Sequence, residues 1–228
     1  MSVGHNVEGM PALLKRIIAS VEPAPTGPTQ DPVEQLIFSL LVWECSTAKA
    51  ELAWKRVQSA VVDHNELRVA LPQEVREMLG ERYPRVDDRI KLIRTVLHSI
   101  YLREHAVSLD HLKGAPKRDA RKYLDSLEGI PPFVASRVML LSLGGHAAPL
   151  DQQLLDLLIA EEIFEAGTDL EKAAGILDRY VKASEGQDVY LLLEAWSDDP
   201  AAIAKGGRKS KSKTKRPRKA RAAAGEAD

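Results

Sequence analysis

One stretch constrains this chain more than any other: Leu127-Glu128-Gly129-Ile130-Pro131-Pro132-Phe133-Val134-Ala135, followed by Pro149-Leu150-Asp151. It reads as a helix, a tight glycine turn, a second helix, a short loop and an aspartate that opens a third helix. Gly129 suits the turn because glycine tolerates positive φ. Ile130 plugs the turn into the core, Ala135 lets the two helices approach, and Pro132 is acceptable at a helix start. Asp151 precedes Leu154, Leu155, Leu158 and Ile159. It is therefore an N-cap by sequence, its carboxylate placed to accept from the first free N–H groups of the helix.

The remainder of the chain repeats its apolar residues at helical intervals, with no strand-like alternation and no internal repeat. A short amphipathic helix is predicted over 11–21. The run 22–31, rich in Pro and Thr, reads as a linker. Asp31 and Pro32 then form an N-cap and first helical position. The helix they start carries Val33, Leu36, Ile37, Leu40 and Leu41, with Phe38 and Val42 on its other sides, so it belongs at the centre of the core. Further helices are predicted over 49–62 and 71–79, along the Ile90, Ile93, Leu97, Ile100 stripe, and over 119–127, 133–143 and 151–163. Another follows a capping box of Thr168 and Glu171, and 189–196 closes the folded part. This makes nine or ten helices and an all-α protein.

The motif resembles the helix-hairpin-helix and downstream aspartate of the endonuclease III-like DNA glycosylases, whose pattern is approximately L-P-G-V-G-x-K-T-A with an aspartate eighteen residues after the lysine. Phe133 and Asp151 stand at that spacing. The resemblance covers roughly 31–197 and implies a two-lobed helix-hairpin-helix glycosylase-type fold and base-excision repair. It implies phosphate binding at the turn, at Gly129, Ile130 and Phe133. It also implies that Asp151 stabilises the positive charge developing on a sugar that is losing its base, and helps deprotonate water. The family's lysine, which forms a Schiff base and permits strand cleavage, is Phe133 here, so an active enzyme would be monofunctional. The family's second glycine is Pro131, and with Pro132 two potential phosphate donors are absent. The string Leu40 to Thr47 resembles the end of a central helix in the family. Its space-filling glutamine is Glu44 here, beside Trp43, which offers a face for base stacking.

A single cysteine, Cys45, rules out a disulfide within the chain and the four-cysteine iron–sulfur loop that many relatives carry. The six histidines offer no i, i+4 ligand pair, and the reading includes no metal and no cofactor. No run of about 18 apolar residues suggests a membrane span. Lys15 and Arg16 break any secretory layout at the start, so a cytoplasmic location is expected, nucleoid-associated in a bacterium.

Charge is distributed unevenly. Ten of the 32 Lys/Arg and two of the 33 Asp/Glu fall after residue 204, so residues 1–204 carry 22 basic and 31 acidic residues, a net of −9. The basic tail, with Lys209, Lys211, Lys213, Lys215 and Arg216, cannot bury apolar surface and is expected to be disordered. It reads as an arm that binds nucleic acid without sequence preference and with strong salt dependence.

The sequence thus divides into 1–30 (N-terminal helix and linker), 31–200 (glycosylase-like domain) and 201–228 (basic tail). The expected partner is double-stranded DNA with a damaged or mismatched base. Two alternatives stay open: a catalytically inactive DNA-binding relative, or a helical protein-interaction module whose tail alone touches nucleic acid. Oligomeric state is left undetermined.

Overall fold

The computed structural model describes residues 6–24 and 31–204. Its centre is α2 (Pro32–Val42), of which all but one residue is buried. The Asp31 carboxylate accepts from the N–H groups of Val33 and Glu34 at 2.9 and 3.0 Å and fixes the start of the helix. The other end carries carbonyls with no partner inside the helix. Arg89 and Tyr83 satisfy them: the guanidinium donates to Leu40 O and Trp43 O, and the Tyr83 hydroxyl to Leu41 O at 2.9 Å. A cation at this end also complements the helix dipole.

Against α2 pack α3 (Thr47–Ala60), α6 (Val86–Glu104) and α8 (Pro132–Leu141); α4 (His64–Val69) packs on α6, α5 (Pro72–Leu79) on α3 and α6, and α7 (Lys117–Asp125) on α8, its partner in the hairpin. Together they form one lobe, built on a continuous apolar cluster from Val33 to Ala147. The second lobe joins α1 (Met10–Ile18) to α9 (Gln152–Ala160), α10 (Leu170–Tyr180) and α11 (Gly186–Ser197). Its cluster includes Leu13, Ile17, Leu154, Leu158, Ile176 and Trp196. Helix α11 is the seam. Tyr190 and Leu191 belong to the first cluster, while Leu192, Leu193 and Trp196 belong to the second.

The described residues contain eleven α-helices and no strand. The additional helix is α4, six residues whose sequence His-Asn-Glu-Leu-Arg-Val buries only Leu67 and so leaves no periodic signal. The cap of α10 also differs from expectation. Asp169, not Thr168, caps it, accepting from Lys172 N at 3.1 Å. Thr168 instead donates its hydroxyl to Glu165 O at 2.7 Å and holds the preceding turn. A carboxylate one residue nearer the helix outcompetes the hydroxyl for the free N–H. Both hairpin helices end two residues earlier than their apolar residues suggest, and they begin two residues earlier in α7 and one in α8, because Pro116 and Pro131 set their starts.

Among the described residues, no helix is long and apolar enough to cross a membrane. The basic tail, including Lys209, Lys211, Lys213, Lys215 and Arg216, lies outside the described residues.

Candidate active site at the junction of the lobes

Asp151 sits where the two lobes meet and caps α9. Its Oδ1 accepts from Leu154 N and its Oδ2 from Glu44 N, both at 2.9 Å. The second bond joins the end of α2 to the start of α9. It depends on Glu44 adopting φ +50°, a left-handed conformation uncommon outside glycine. Arg89, by anchoring the last carbonyls of α2, holds the chain where this turn begins.

Burial raises the Asp151 carboxyl above the ordinary carboxylate range. The two N–H donors oppose that shift, and the nearby Glu44 and Glu194 carboxylates add to it. A carboxylate of raised proton affinity is a better base than a free aspartate.

Beside Asp151 is a cavity of about 20 Å³, walled by Cys45, Thr47, Phe133, Tyr190, Glu194, Ser197 and Asp198 among others. That is room for a single water and far below the several hundred Å³ of a ligand pocket. The walls are well supplied with polar atoms, as a buried water requires. On the other side of Phe133 lies a cleft of about 600 Å³ between the hairpin and α10, lined by Arg121, Ile130, Pro132, Ser136, Leu150 and Asp178 among others. Phe133 lines both spaces and is buried, so its ring separates the wide cleft from the carboxylate. Among the described residues, no lysine lines either space.

A buried ionic group braces this wall. Arg137, one helical turn beyond Phe133, is fully buried, and its Nη2 donates to both Glu194 oxygens at 3.1 and 3.3 Å. Its Nε donates to the Tyr190 hydroxyl at 2.9 Å and its Nη1 to Ser39 Oγ at 3.2 Å. Burial pushes the guanidinium down, but the charges and hydrogen bonds of Glu194 and Tyr190 together outweigh it and hold it above its ordinary value. Asp198, at the end of α11, accepts from Thr47 N at 2.7 Å and caps α3. Burial raises this carboxyl too. α11 therefore ties α8 and α3 together behind the cavity.

The hairpin turn has the expected shape, with Gly129 at φ +74°. Ile130 N bonds back to Leu127 O at 3.3 Å, so its N–H is drawn into the turn rather than offered outward. The N–H groups of Gly129 and Phe133 have no hydrogen-bond partner among the described residues. With Pro131 and Pro132 lacking N–H groups, these two are the donors left to meet an anion. Glu44 and Trp43 sit across the junction. The Glu44 carboxylate pairs with Arg85 at 2.7 Å, and the Arg85 guanidinium lies 4.5 Å above the Trp43 ring. The negative charge that the sequence placed here is thus compensated, and Trp43 is only partly buried.

Several of these groups escaped sequence reasoning: Arg85, Arg137, Tyr190, Glu194 and Asp198. A signal existed for two of them. Arg137 and Glu194 are single charges within the apolar runs of α8 and α11, and a charge in such a run needs a buried partner. Among the described residues, no cluster of His, Cys, Asp or Glu is arranged to hold a metal ion.

Two helical lobes, a glycine hairpin and a capping aspartate at their junction define the helix-hairpin-helix DNA glycosylase fold of the endonuclease III type. Solved structures bear this out. Endonuclease III trapped covalently on DNA, in an estranged-adenine complex, superimposes with a TM-score of 0.67 at 12% identity, covering 90% of this chain and 99% of that one. The Clostridium acetobutylicum 8-oxoguanine glycosylase/lyase, in complex with DNA bearing cytosine opposite 8-oxoguanine, gives 0.60 at 17%, over 82% and 67% of the two chains. A thermostable thymine-DNA glycosylase gives 0.59 at 17%, over 83% and 86%. At these identities the likeness is one of fold. No family model and no curated protein matches the sequence.

Proposed function

We propose that the protein binds double-stranded DNA and acts in base-excision repair as a monofunctional DNA glycosylase, with Asp151 as its catalytic residue. The observation that carries this reading is the placement of Asp151: a rigidly held carboxylate of raised proton affinity, at the lobe junction of a glycosylase fold. In the proposed reaction a damaged or mismatched nucleotide swings out of the duplex toward the cleft beside the hairpin, and the Phe133 ring moves aside. The bond between C1′ and the base breaks and its electron pair leaves with the base. The ionised Asp151 stabilises the positive charge on the sugar and takes a proton from the water that adds to C1′. That proton passes on to the departed base, so the products are the free base and an intact abasic site and Asp151 is ionised again. Phe133 offers no amine, so no Schiff base forms and the strand is not cut. The basic tail would hold the acidic body near DNA by raising its effective concentration. The site of action would be the cytoplasm, or the nucleoid of a bacterium.

One observation favours a second reading, a DNA-binding relative without catalysis: the space beside Asp151, with Phe133 in its wall, amounts to only about 20 Å³. The deciding experiment is base release from duplexes carrying alkylated, oxidised, deaminated and mismatched bases, with hot alkali to reveal abasic sites. Alkali-dependent cleavage by wild type that is lost in Asp151→Asn is the expected result. No release across the panel, from a protein that still binds duplex DNA, would leave the second reading standing.

A further inference from the structure

Residues 1–204 carry a net charge of −9, yet one groove on this surface has the opposite sign. α4, α5 and α6 enclose a cleft of about 700 Å³ whose walls include Arg68, Arg76, Lys91, Arg94 and His98, with Asp87 as the one carboxylate. Four permanent cations against one anion leave the groove at +3. Asp87 is already paired with Arg76. The other three cations have no carboxylate partner among the described residues. Arg68 is held in position by neutral groups: Nε donates to Asn65 Oδ1 at 2.9 Å, Nη1 lies 3.3 Å from His98 Nδ1, and the guanidinium lies 3.9 Å above the Tyr101 ring. Arg94 Nε is buried and has no acceptor. A buried donor on a charged group without an acceptor is unfavourable, and negative charge in the groove would offset that cost through the guanidinium's charge. Lys91 is exposed at the rim.

The groove begins at the hairpin. A Cβ built on Gly129 would lie 3.6 Å from Leu92 and 3.7 Å from Thr95, so the turn rests on α6, and Thr95 is itself part of the groove wall. From Lys91 to His98 the helix rises about 10 Å at ~1.5 Å per residue. Three cations without a carboxylate partner are spread along that length, enough to face successive phosphates of a strand laid in the groove.

We infer that the α4–α6 groove binds the sugar–phosphate backbone of double-stranded DNA, continuing the contact that starts at the hairpin turn. This rests on the reading of the hairpin lobe as the DNA-facing lobe. The contact is to backbone alone, so it positions the duplex without reading its sequence.

The test is binding of the full-length protein to an undamaged, fluorescently labelled duplex, measured by anisotropy across a salt series. A triple variant, Arg68→Gln, Lys91→Gln and Arg94→Gln, is compared with a control triple on other faces: Lys49→Gln and Lys55→Gln on α3 and Lys172→Gln on α10. Each phosphate contact contributes about 0.9 to the slope of log K against log salt. The groove variant should therefore lose about 2.7 of that slope, while the control keeps it. Lys91→Glu alone, at an exposed position that cannot disturb the fold, should weaken binding at low salt at least as much as Lys91→Gln. An unchanged slope in the groove variant, or an equal loss in the control, overturns the inference. Base release is read separately. Its absence, with the groove effect intact, would overturn the catalytic reading and leave the groove in place.

Discussion

Replacing Glu194 with glutamine isolates the electrostatic part of the buried network behind Phe133. The substitution keeps shape and removes one charge. Arg137 then has no exposure to solvent and has lost the Glu194 carboxylate charge, and arginine does not deprotonate to escape. Breaking a buried pair by removing one partner costs about 3–5 kcal/mol. The low end applies here. The Tyr190 and Ser39 hydroxyls remain within 2.9 and 3.2 Å of the guanidinium, and the Phe38 ring lies 5.2 Å from it. A loss of about 3 kcal/mol in a chain of this size corresponds to a fall in Tm of roughly 6–12 °C. Urea and thermal unfolding followed by circular dichroism at pH 7 would measure it. A double variant, Arg137→Met with Glu194→Leu, removes both charges and replaces them with apolar volume. It should recover most of the loss, since well-packed apolar substitutes for a buried pair are often neutral or stabilising. A Glu194→Gln loss below about 1 kcal/mol, or a double variant no more stable than the single, would refute the reasoning that an uncompensated charge causes the damage.

Asp151→Ser keeps a short capping oxygen and removes the ionisable group. Burial raises the Asp151 pKa above its unfolded value, so the stability this group contributes is fully present below the unfolded pKa of about 3.9 and is lost as pH rises through the folded value. The Tm of Asp151→Ser minus that of wild type should therefore become more positive between pH 3 and pH 7; a flat or falling difference would remove the case for a strained carboxylate. At the hairpin, Gly129→Ala places a Cβ in ordinary contact with Leu92 and Thr95 but at φ +74°. The backbone alone should make it cost about 1–2 kcal/mol, and a stabilised variant in denaturant titration would show that the turn does not need glycine.

What was legible in the sequence was local. Helical spacing placed ten of the eleven α-helices, because a helix buries a stripe whose period is written in neighbouring residues. The capping roles of Asp31 and Asp151 were visible because a cap bonds two or three residues ahead. That Phe133 offers no amine nucleophile was plain from its identity alone. The short α4 and the Asp169 cap were missed, since six residues carry no period and adjacent Thr and Asp compete for the same N–H groups.

The rest depended on contacts between residues far apart in the chain. Glu44 N reaches Asp151 across 107 residues, and Arg137 reaches Glu194 across 57. The small cavity beside Asp151 and the basic groove on an acidic body follow from how whole helices stack. A single sequence records which faces are apolar, so it determined the helices, the hairpin and the position of the carboxylate. Which groups meet once those faces are buried, and how much space their side chains leave, is a property of packed volumes and fixed charges in three dimensions. Only the tertiary structure decided that Asp151 is doubly bonded, buried and separated from the wide cleft by one aromatic ring.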